Sequence, residues 1–302
     1  MRSRANAHIE LTEASKSNVA AVRLLALREL WIHTGTACNL ECPFCLEGSR
    51  PGDARLERIT LAELQPYLEQ AAQLGAQRFA FTGGEPLIVK DIVKILEYAL
   101  RLKPCLVLTN GAAPLIKRAH QLQLLARQPH PLSFRVSLDY PDEQQHDAGR
   151  GWGNFKRALE GLKLLHRSGF EISIARHRRP DEDSASIEAR YRELLRKHAL
   201  PDALLIVALP EYGRPQTDNR TDNHDAPISA AELDASGRAA ALMCAFGRMA
   251  LKRQGALRMA ACPLVDDDER FDCGPALASA LAQPTALRHT RCRQCLSSGV
   301  RW

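Results

Sequence analysis

Strand-like and helix-like segments alternate from residue 28 to residue 209, and this pattern restricts the possible folds more than any other feature. Six short apolar runs are typical of strands, namely residues 29–33, 78–82, 105–110, 133–139, 170–176 and 203–209. Amphipathic segments lie between them, and in the first of these Thr60 and Glu63 have the pattern of a helix capping box. The alternation predicts an α/β fold with a parallel sheet, either a partial (β/α)6 barrel or a doubly wound sheet. In both folds the functional loops follow the carboxyl ends of the strands.

The composition changes after the sixth predicted strand. Residues 211–229 are polar and rich in turn-forming residues, which is typical of a linker. Five of the nine cysteines follow this stretch. We therefore divide the chain into an N-terminal leader (1–27), a core barrel (28–209), a linker (210–240) and a small cysteine-rich C-terminal domain (241–302).

The composition also restricts the class of protein. No run approaches the ~18 apolar residues of a membrane-spanning helix, and the N-terminus lacks the apolar centre of a signal peptide. We therefore expect a cytoplasmic protein without a membrane partner, in which nine cysteines favour metal, cluster or catalytic use over disulfides. The net charge of +6 is modest and aromatic residues make up 5% of the chain, so nucleic-acid binding is not favoured.

Three cysteines follow the first predicted strand, in the stretch TACNLECPFCLEGS. Cys38, Cys42 and Cys45 have the spacing C-x3-C-x2-C. A cubane iron–sulfur cluster usually has four cysteine ligands, so three would leave one iron with an open coordination position. The alternative is a structural zinc or iron site with a distant fourth ligand, for example His33.

A second motif, TGGEP at residues 82–86, follows the second predicted strand. Its two glycines would let the backbone approach a ligand closely, and exposed backbone groups there could hold an amino-acid moiety. Alone, such a pair is more typical of an ordinary turn. Next to the cysteine motif on the preceding strand end, it indicates a binding loop.

Together the two motifs resemble the signature of the radical S-adenosylmethionine (radical SAM) superfamily. The resemblance covers about residues 30–209 and includes LTNG (108–111) and SLDYPDEQQHDAGRG (137–151) at the third and fourth strand ends. Tyr140 stands where members of the family usually have glycine. The resemblance implies a partial (β/α)6 barrel of the radical SAM type.

The resemblance also implies a cofactor and a reaction. Cys38, Cys42 and Cys45 would hold a [4Fe–4S] cluster, and the amino and carboxylate groups of SAM would chelate its open iron. One electron from the reduced cluster would cleave SAM, and the resulting 5′-deoxyadenosyl radical would abstract hydrogen from the substrate. A flavodoxin or ferredoxin would supply the electron. Phe44, the aromatic residue before the third cysteine, would pack over the adenine or the cluster.

Further residues match SAM-binding positions of the family. Gly83, Gly84 and Glu85 would contact the amino group of SAM. Ser137 would contact the ribose, unless its hydroxyl only caps its own turn. Arg150 would pair with the SAM carboxylate, for which a guanidinium offers a bidentate fork, unless it is an ordinary surface arginine.

The C-terminal cysteines resemble, in a shortened form, the SPASM and twitch extensions that carry auxiliary iron–sulfur clusters. Cys292 and Cys295 have the C-x2-C spacing of metal ligands. With Cys244 and Cys262, which would flank a β-hairpin, they would hold one auxiliary [4Fe–4S] cluster. Cys273 is interpreted as a free thiol. A structural zinc ribbon is the alternative for the whole group.

The expected function is therefore that of a radical SAM enzyme acting on a peptide or a small molecule, with net oxidation through the auxiliary cluster. One alternative is an isomerase or lyase that uses the same radical. Another is a non-catalytic iron–sulfur redox protein, which the TGGEP motif argues against. Candidate residues on the substrate side are His33, Asp139, Glu211 and Tyr212.

Overall fold

The computed structural model describes residues 19–179, 181–210, 212, 227–266 and 268–299. Residues 1–18 of the predicted leader and residues 211 and 213–226 of the predicted linker, including Glu211, lie outside the described residues. The strands are β1 (Ala21–Val22), β2 (Glu29–His33), β3 (Arg78–Thr82), β4 (Cys105–Thr109), β5 (Leu132–Ser137), β6 (Glu171–Arg178), β7 (Leu205–Pro210), β8 (Gly247–Arg253), β9 (Ala256–Ala260) and β10 (Thr285–Ala286). The α-helices are α1 (Leu61–Gln73), α2 (Ile92–Leu102), α3 (Ala113–Gln123), α4 (Glu143–Arg150), α5 (Asn154–Arg167), α6 (Ser184–Lys197), α7 (Ala230–Ser236), α8 (Leu277–Ala282) and α9 (Thr290–Ser298).

Eight of the strands form one sheet in the order β7-β6-β5-β4-β3-β2-β8-β9. Neighbouring strands from β7 to β8 are parallel, and β9 returns antiparallel to β8. Helices connect the successive strands from β2 to β7. The chain therefore folds as a partial α/β barrel, which is one of the two folds that the alternating pattern predicted and the one that the family resemblance implied. Strands β1 and β10 form a separate antiparallel pair.

The start of α1 shows how local sequence sets an element. The Thr60 hydroxyl accepts a hydrogen bond from the Glu63 amide, and the Glu63 carboxylate accepts one from the Thr60 amide at 2.9 Å. This reciprocal pair is the predicted capping box, and it satisfies amides that would otherwise lack partners at a helix start. The helix ends just before Gly75, whose positive φ of 94° favours glycine.

Helix α4 was missed by the sequence analysis, which assigned its residues only to the end of the fourth strand. It is eight residues long and begins at Asp142, whose carboxylate accepts a hydrogen bond from the Gln145 amide. His146 is its only fully buried residue, so the sequence of this segment has no apolar stripe that would indicate a helix.

The predicted C-terminal β-hairpin exists as β8 and β9, but it extends the core sheet. Strand β8 pairs in parallel with β2, so that Glu29 faces Gly247 and Ile32 faces Ala250. The sheet therefore crosses the boundary at residue 241 that composition suggested. Because β2 leads into the three-cysteine loop, this pairing fixes the C-terminal segment directly beside that loop.

The core lies between the sheet and its helices. Leu30, Phe79 and Phe134 on three neighbouring strands are fully buried, as expected for a parallel sheet covered by helices. Cys105 at the start of β4 is buried among these apolar residues. No helix in the described part of the chain combines the length and the apolar character needed to cross a membrane.

Candidate active site

The carboxyl ends of the parallel strands open into one pocket. Its wall comes from the cysteine loop after β2, from the turn after β3 and from the ends of β4 to β7. The wall includes these residues singled out from the sequence: Cys38, Cys42, Phe44, Cys45, Gly83, Gly84, Ser137, Asp139 and Arg150. The pocket thus lies where an α/β fold places its functional loops.

The three-cysteine loop is tightly turned. The Cys45 amide donates to the Cys42 carbonyl at 3.1 Å, and the Cys38 sulfur accepts from the Leu40 amide at 3.4 Å. Burial raises the pKa of Cys38 to about 12. A thiol with this pKa stays protonated at neutral pH unless a metal displaces the proton, so Cys38 is a poor nucleophile as it stands.

The glycine pair after β3 lies directly against the start of the cysteine loop. The Gly84 amide donates to the Gly35 carbonyl at 2.9 Å. A Cβ atom on Gly84 would lie 2.3 Å from the Ala37 carbonyl oxygen, and one on Gly83 would lie 2.7 Å from that of Gly35. Both positions therefore need glycine because two backbone segments pass each other without room for a side chain.

Glu85 lies behind this turn and is fully buried. Its carboxylate accepts hydrogen bonds from the Leu87 amide at 3.0 Å, the Thr109 hydroxyl at 2.8 Å and the Asn110 amide at 2.8 Å. Burial raises the pKa of Glu85, and the three donors oppose that shift. The side chain therefore ties the turn after β3 to the end of β4.

Arg150 lies in the pocket wall with its charge paired. Its guanidinium donates to both oxygens of Asp139, from Nε at 2.5 Å and from Nη2 at 3.2 Å. Burial opposes both charges, but the pair lowers the pKa of Asp139 and raises that of Arg150. The Arg150 side chain is 12% exposed, which does not match the alternative of an ordinary surface arginine.

Phe44 connects the cysteine loop to the opposite wall. Its ring meets the His177 ring edge-on at 4.3 Å between centroids, and the Arg150 guanidinium carbon lies 5.6 Å from its centroid. A Cβ atom on Gly149 would lie 2.2 Å from the Phe44 ring. The aromatic ring therefore packs closely against α4 and β6 at the edge of the pocket.

His146 gives a testable pH dependence. Its Nδ1 accepts from the Asp139 amide, and burial, helped by the Arg150 charge, lowers the pKa of His146 to about 4. The pKa of histidine in an unfolded chain is about 6.5. At pH values between this pKa and the lower folded pKa, the unfolded chain binds a proton that the folded chain does not, so the free energy of unfolding falls as the pH falls.

We expect the free energy of unfolding to fall by about 2 kcal/mol between pH 7.5 and pH 5. Urea unfolding of His146→Asn should show a shallower pH dependence, and equal slopes for variant and parent would contradict the assignment.

His33, at the end of β2, takes part in a buried network rather than in metal binding. Its Nε2 lies 3.2 Å from a Glu47 carboxylate oxygen and 3.4 Å from one of Asp266. The three groups are close enough to hold an ion. However, Nδ1 accepts a hydrogen bond from the Gly35 amide, which places the imidazole proton on Nε2, facing the carboxylates. His33 therefore pins the cysteine loop.

Arg291 continues this network to the C-terminal cysteines. The residue is fully buried, precedes Cys292 on α9, and donates to the Leu264 carbonyl at 2.9 Å and to the Leu46 carbonyl at 3.0 Å. Burial opposes the charge of Glu47, but His33, then a hydrogen bond with Asp266 and then the charge of Arg291 outweigh it and lower the pKa of Glu47 to about 2. One guanidinium thus joins the loop that carries the first cysteine group to the helix that carries part of the second.

The four C-terminal cysteines predicted as ligands line one small cavity. Its wall includes Cys244, Cys262, Cys292 and Cys295. Burial raises the pKa of each of these thiols, that of Cys292 to about 11. Cys273 instead donates to the Phe271 carbonyl at 3.6 Å. A cavity lined by four thiols has the donor set of a closed metal or cluster site.

Two neighbours of this cavity fit a negatively charged metal–sulfur group. Thr285 belongs to the cavity wall, and its hydroxyl is buried with no hydrogen-bond partner among the described residues. Arg248 is fully buried, and its five hydrogen bonds within the described residues all go to backbone carbonyls, including that of Cys244. A buried cation and a free hydroxyl donor both favour negative charge on the sulfurs.

The structure adds site residues that sequence reasoning missed. Asn110 donates to the Asn39 side chain at 2.9 Å and lies 3.9 Å from the Cys38 sulfur. Its motif, LTNG, was noticed but not assigned to the cysteine loop. Glu47, Asp266 and Arg291 carried no local signal, because their contacts join segments far apart in sequence. Of the candidates on the substrate side, Tyr212 is buried, and Glu211 is outside the described residues.

Comparisons with known proteins agree with this geometry. Residues 32–188, more than half of the chain, match the sequence profile of the Radical SAM superfamily. A GTP 3′,8-cyclase of Tolumonas auensis is 30% identical over 141 residues, which are 44% of this chain and 39% of that protein. The subtilosin biosynthesis protein AlbA of Bacillus subtilis is 30% identical over 140 residues, 46% of this chain and 30% of that protein. The chain thus matches less than half the length of these curated relatives.

Solved structures give the same fold. The structure of hexahistidine-tagged anSMEcpe with bound AdoMet superposes with a TM-score of 0.58 at 14% identity. The superposition covers 84% of this chain and 77% of that one. At this identity the similarity concerns the fold alone, and it includes part of the C-terminal segment.

Proposed function

The chain belongs to the radical SAM superfamily, and on this premise we propose that it uses SAM to abstract hydrogen from a peptide or a small molecule. The observation that carries the proposal is the meeting of three cysteines and a glycine pair in one pocket at the strand ends. The named relatives include a cyclase of GTP and a protein of bacteriocin biosynthesis, so we keep both substrate classes in the proposal.

Cys38, Cys42 and Cys45 would hold a [4Fe–4S] cluster whose fourth position is left to SAM. When bound, the cluster and SAM supply reductive cleavage and a 5′-deoxyadenosyl radical. The protein keeps the three thiols together in a tight loop, and the Asn110 amide beside Cys38 can donate a hydrogen bond to its sulfur. Phe44 would close the edge of the pocket over the cluster or the adenine.

The SAM-binding roles follow from the pocket wall. Gly83 and Gly84 would present bare backbone to the amino group of SAM. Glu85 would support that contact by holding the turn, since its carboxylate already accepts three hydrogen bonds. Ser137 would meet the ribose. Arg150, kept charged by Asp139, would pair with the SAM carboxylate.

Cys244, Cys262, Cys292 and Cys295 would hold an auxiliary [4Fe–4S] cluster in a SPASM- or twitch-like C-terminal segment, residues 241–302. A complete set of four protein ligands suits electron transfer, so this cluster would accept an electron from the substrate radical and give net oxidation. An isomerase or lyase that returns the hydrogen would not need this step. A flavodoxin or ferredoxin would reduce the first cluster, and we place the reaction in the cytoplasm.

Iron content and SAM cleavage test both sites after anaerobic reconstitution. We expect about eight irons per chain, because each of the two sites would hold a cubane of four. Serine at Cys38, Cys42 and Cys45 should leave about four irons and no detectable 5′-deoxyadenosine. Serine at the four C-terminal cysteines should also leave about four, with SAM cleavage retained.

Cys273→Ser is the matched control, because this cysteine lies outside the four-cysteine cavity and should leave the iron content unchanged. A reconstituted parent that does not cleave SAM would refute the enzymatic proposal. Zinc instead of iron in the C-terminal site would refute the auxiliary cluster and leave the first site in place.

A further inference from the structure

Thr285 is a buried polar residue with no evident structural use for its hydroxyl. It lies on β10, where its backbone faces Val22 of β1 in the antiparallel pair. The residue is 3% exposed, and Oγ1 has no hydrogen-bond partner among the described residues. The residue belongs to the wall of the cavity formed by the four C-terminal cysteines. A buried hydroxyl without a protein partner therefore lies on a residue that borders this cavity.

An unpaired hydroxyl in an apolar site is unfavourable, because it has lost water without gaining a partner. Valine has nearly the same shape and would avoid this penalty. The rest of the wall is otherwise mainly thiols and apolar side chains, for example Leu242, Leu264 and Val265. Neutral thiols are weak acceptors, whereas sulfurs that carry negative charge in a metal–sulfur group accept hydrogen bonds more strongly.

The surroundings of the cavity favour such negative charge. Arg248 is fully buried and donates to the Cys244 carbonyl at 2.8 Å and to the Ala261 carbonyl, next to Cys262, at 3.3 Å. Other donations from its guanidinium reach the Ala280 and Gln283 carbonyls near the end of α8. A positive charge is thus fixed beside two of the four cysteines.

We propose that Thr285 donates a hydrogen bond from Oγ1 to a sulfur of the metal–sulfur group held by the four cysteines, and that this bond raises the reduction potential of the group. The inference rests on the auxiliary cluster of the proposed function. Hydrogen bonds to the sulfurs are one of the determinants of cluster potential, because they stabilise the more negative, reduced state. Thr285 is a tuning residue and touches no substrate.

The test uses full-length protein with serine at Cys38, Cys42 and Cys45, so that only the C-terminal cluster remains. Thr285→Val, Thr285→Ser and the parent are compared by redox titration followed by electron paramagnetic resonance. Valine should raise the oxidised-to-reduced ratio at a fixed potential about tenfold, which is a shift of about 59 mV to more negative potential for one electron. Serine keeps the hydroxyl and should restore the parent value.

Melting temperature provides a second readout, because a change in iron content alone would not produce the expected pattern. In metal-free protein, Thr285→Val should raise the melting temperature, because it removes an unpaired buried hydroxyl. In iron-loaded protein the same change should lower it, because it removes a hydrogen bond to the cluster. Ser279→Ala is the control, since Ser279 on α8 is exposed and does not belong to the cavity wall, and it should change neither measurement.

The outcomes separate this inference from the proposed function. A C-terminal site that loads iron but has equal potentials with threonine and valine would overturn the role of Thr285 alone. A melting-temperature change of the same sign in metal-free and loaded protein would do so as well. Zinc in the site would overturn the auxiliary cluster and, with it, the tuning of its potential.

Discussion

Gly84→Ala is expected to reduce the formation of 5′-deoxyadenosine by about 100-fold or more. The new Cβ atom would lie 2.3 Å from the Ala37 carbonyl oxygen, so the two backbones must separate by about 1 Å to reach ordinary contact. That movement displaces the start of the cysteine loop against the proposed SAM-binding turn. The measurement is single-turnover product formation by anaerobically reconstituted protein, with SAM binding followed separately.

Gly52→Ala is the matched control for this substitution. Gly52 lies just beyond the cysteine motif and has a positive φ of 78°, but a Cβ atom there would meet nothing within 4 Å. We expect it to lower stability by about 1–2 kcal/mol through backbone strain, with SAM cleavage retained. Equal activity of Gly84→Ala and the parent would show that the two loops do not need their close approach.

Arg291→Met is expected to lower the free energy of unfolding by about 3–5 kcal/mol, the range seen when one partner of a buried charged network is removed. Methionine keeps an unbranched apolar side chain but leaves the carbonyls of Leu46 and Leu264 without the donor that Arg291 provides. It also removes a cation that stabilises the buried Glu47 carboxylate. Urea unfolding of metal-free protein at pH 7 measures the loss.

Arg293→Met, two residues later on the same helix, separates the network from a general effect of losing an arginine. Its guanidinium pairs with Glu232, and both side chains are more than a third exposed. Such pairs contribute about 0–1 kcal/mol, so this variant should unfold nearly like the parent. If the two variants lose the same stability, the buried network does not hold the cysteine loop to α9.

Much of the barrel could be predicted because each strand is a short apolar run that can be recognised from the local sequence. Strands β2 and β3 have the predicted bounds, and the capping box at Thr60 starts α1 as expected. Helix α4 was missed because its sequence is polar and its stability depends on packing, through His146, against residues outside the helix. The pairing of β8 with β2 could not be predicted either, since the sequence of a hairpin does not indicate which sheet edge the hairpin joins.

The candidate site could be predicted where residues lie within a local motif. Cys38, Cys42, Cys45 and the glycine pair meet in the pocket because parallel strands end at one edge. The His33 network could not be predicted, because Asp266 reaches it only after the chain has folded. The need for glycine at position 84 likewise depends on the folded structure, because the Ala37 backbone leaves no room there for a side chain.

The pairing of β2 with β8 also has a consequence for protein synthesis. Strand β2 gains its neighbour β3 early, but its other edge stays open until Gly247 to Ala250 have been made. At the usual rate of translation this takes on the order of ten seconds or more. During that time an apolar strand edge beside the cysteine loop is available for wrong pairing. Among the strands β2 to β6, the strand that leads into the cysteines is therefore the last to receive both of its partners.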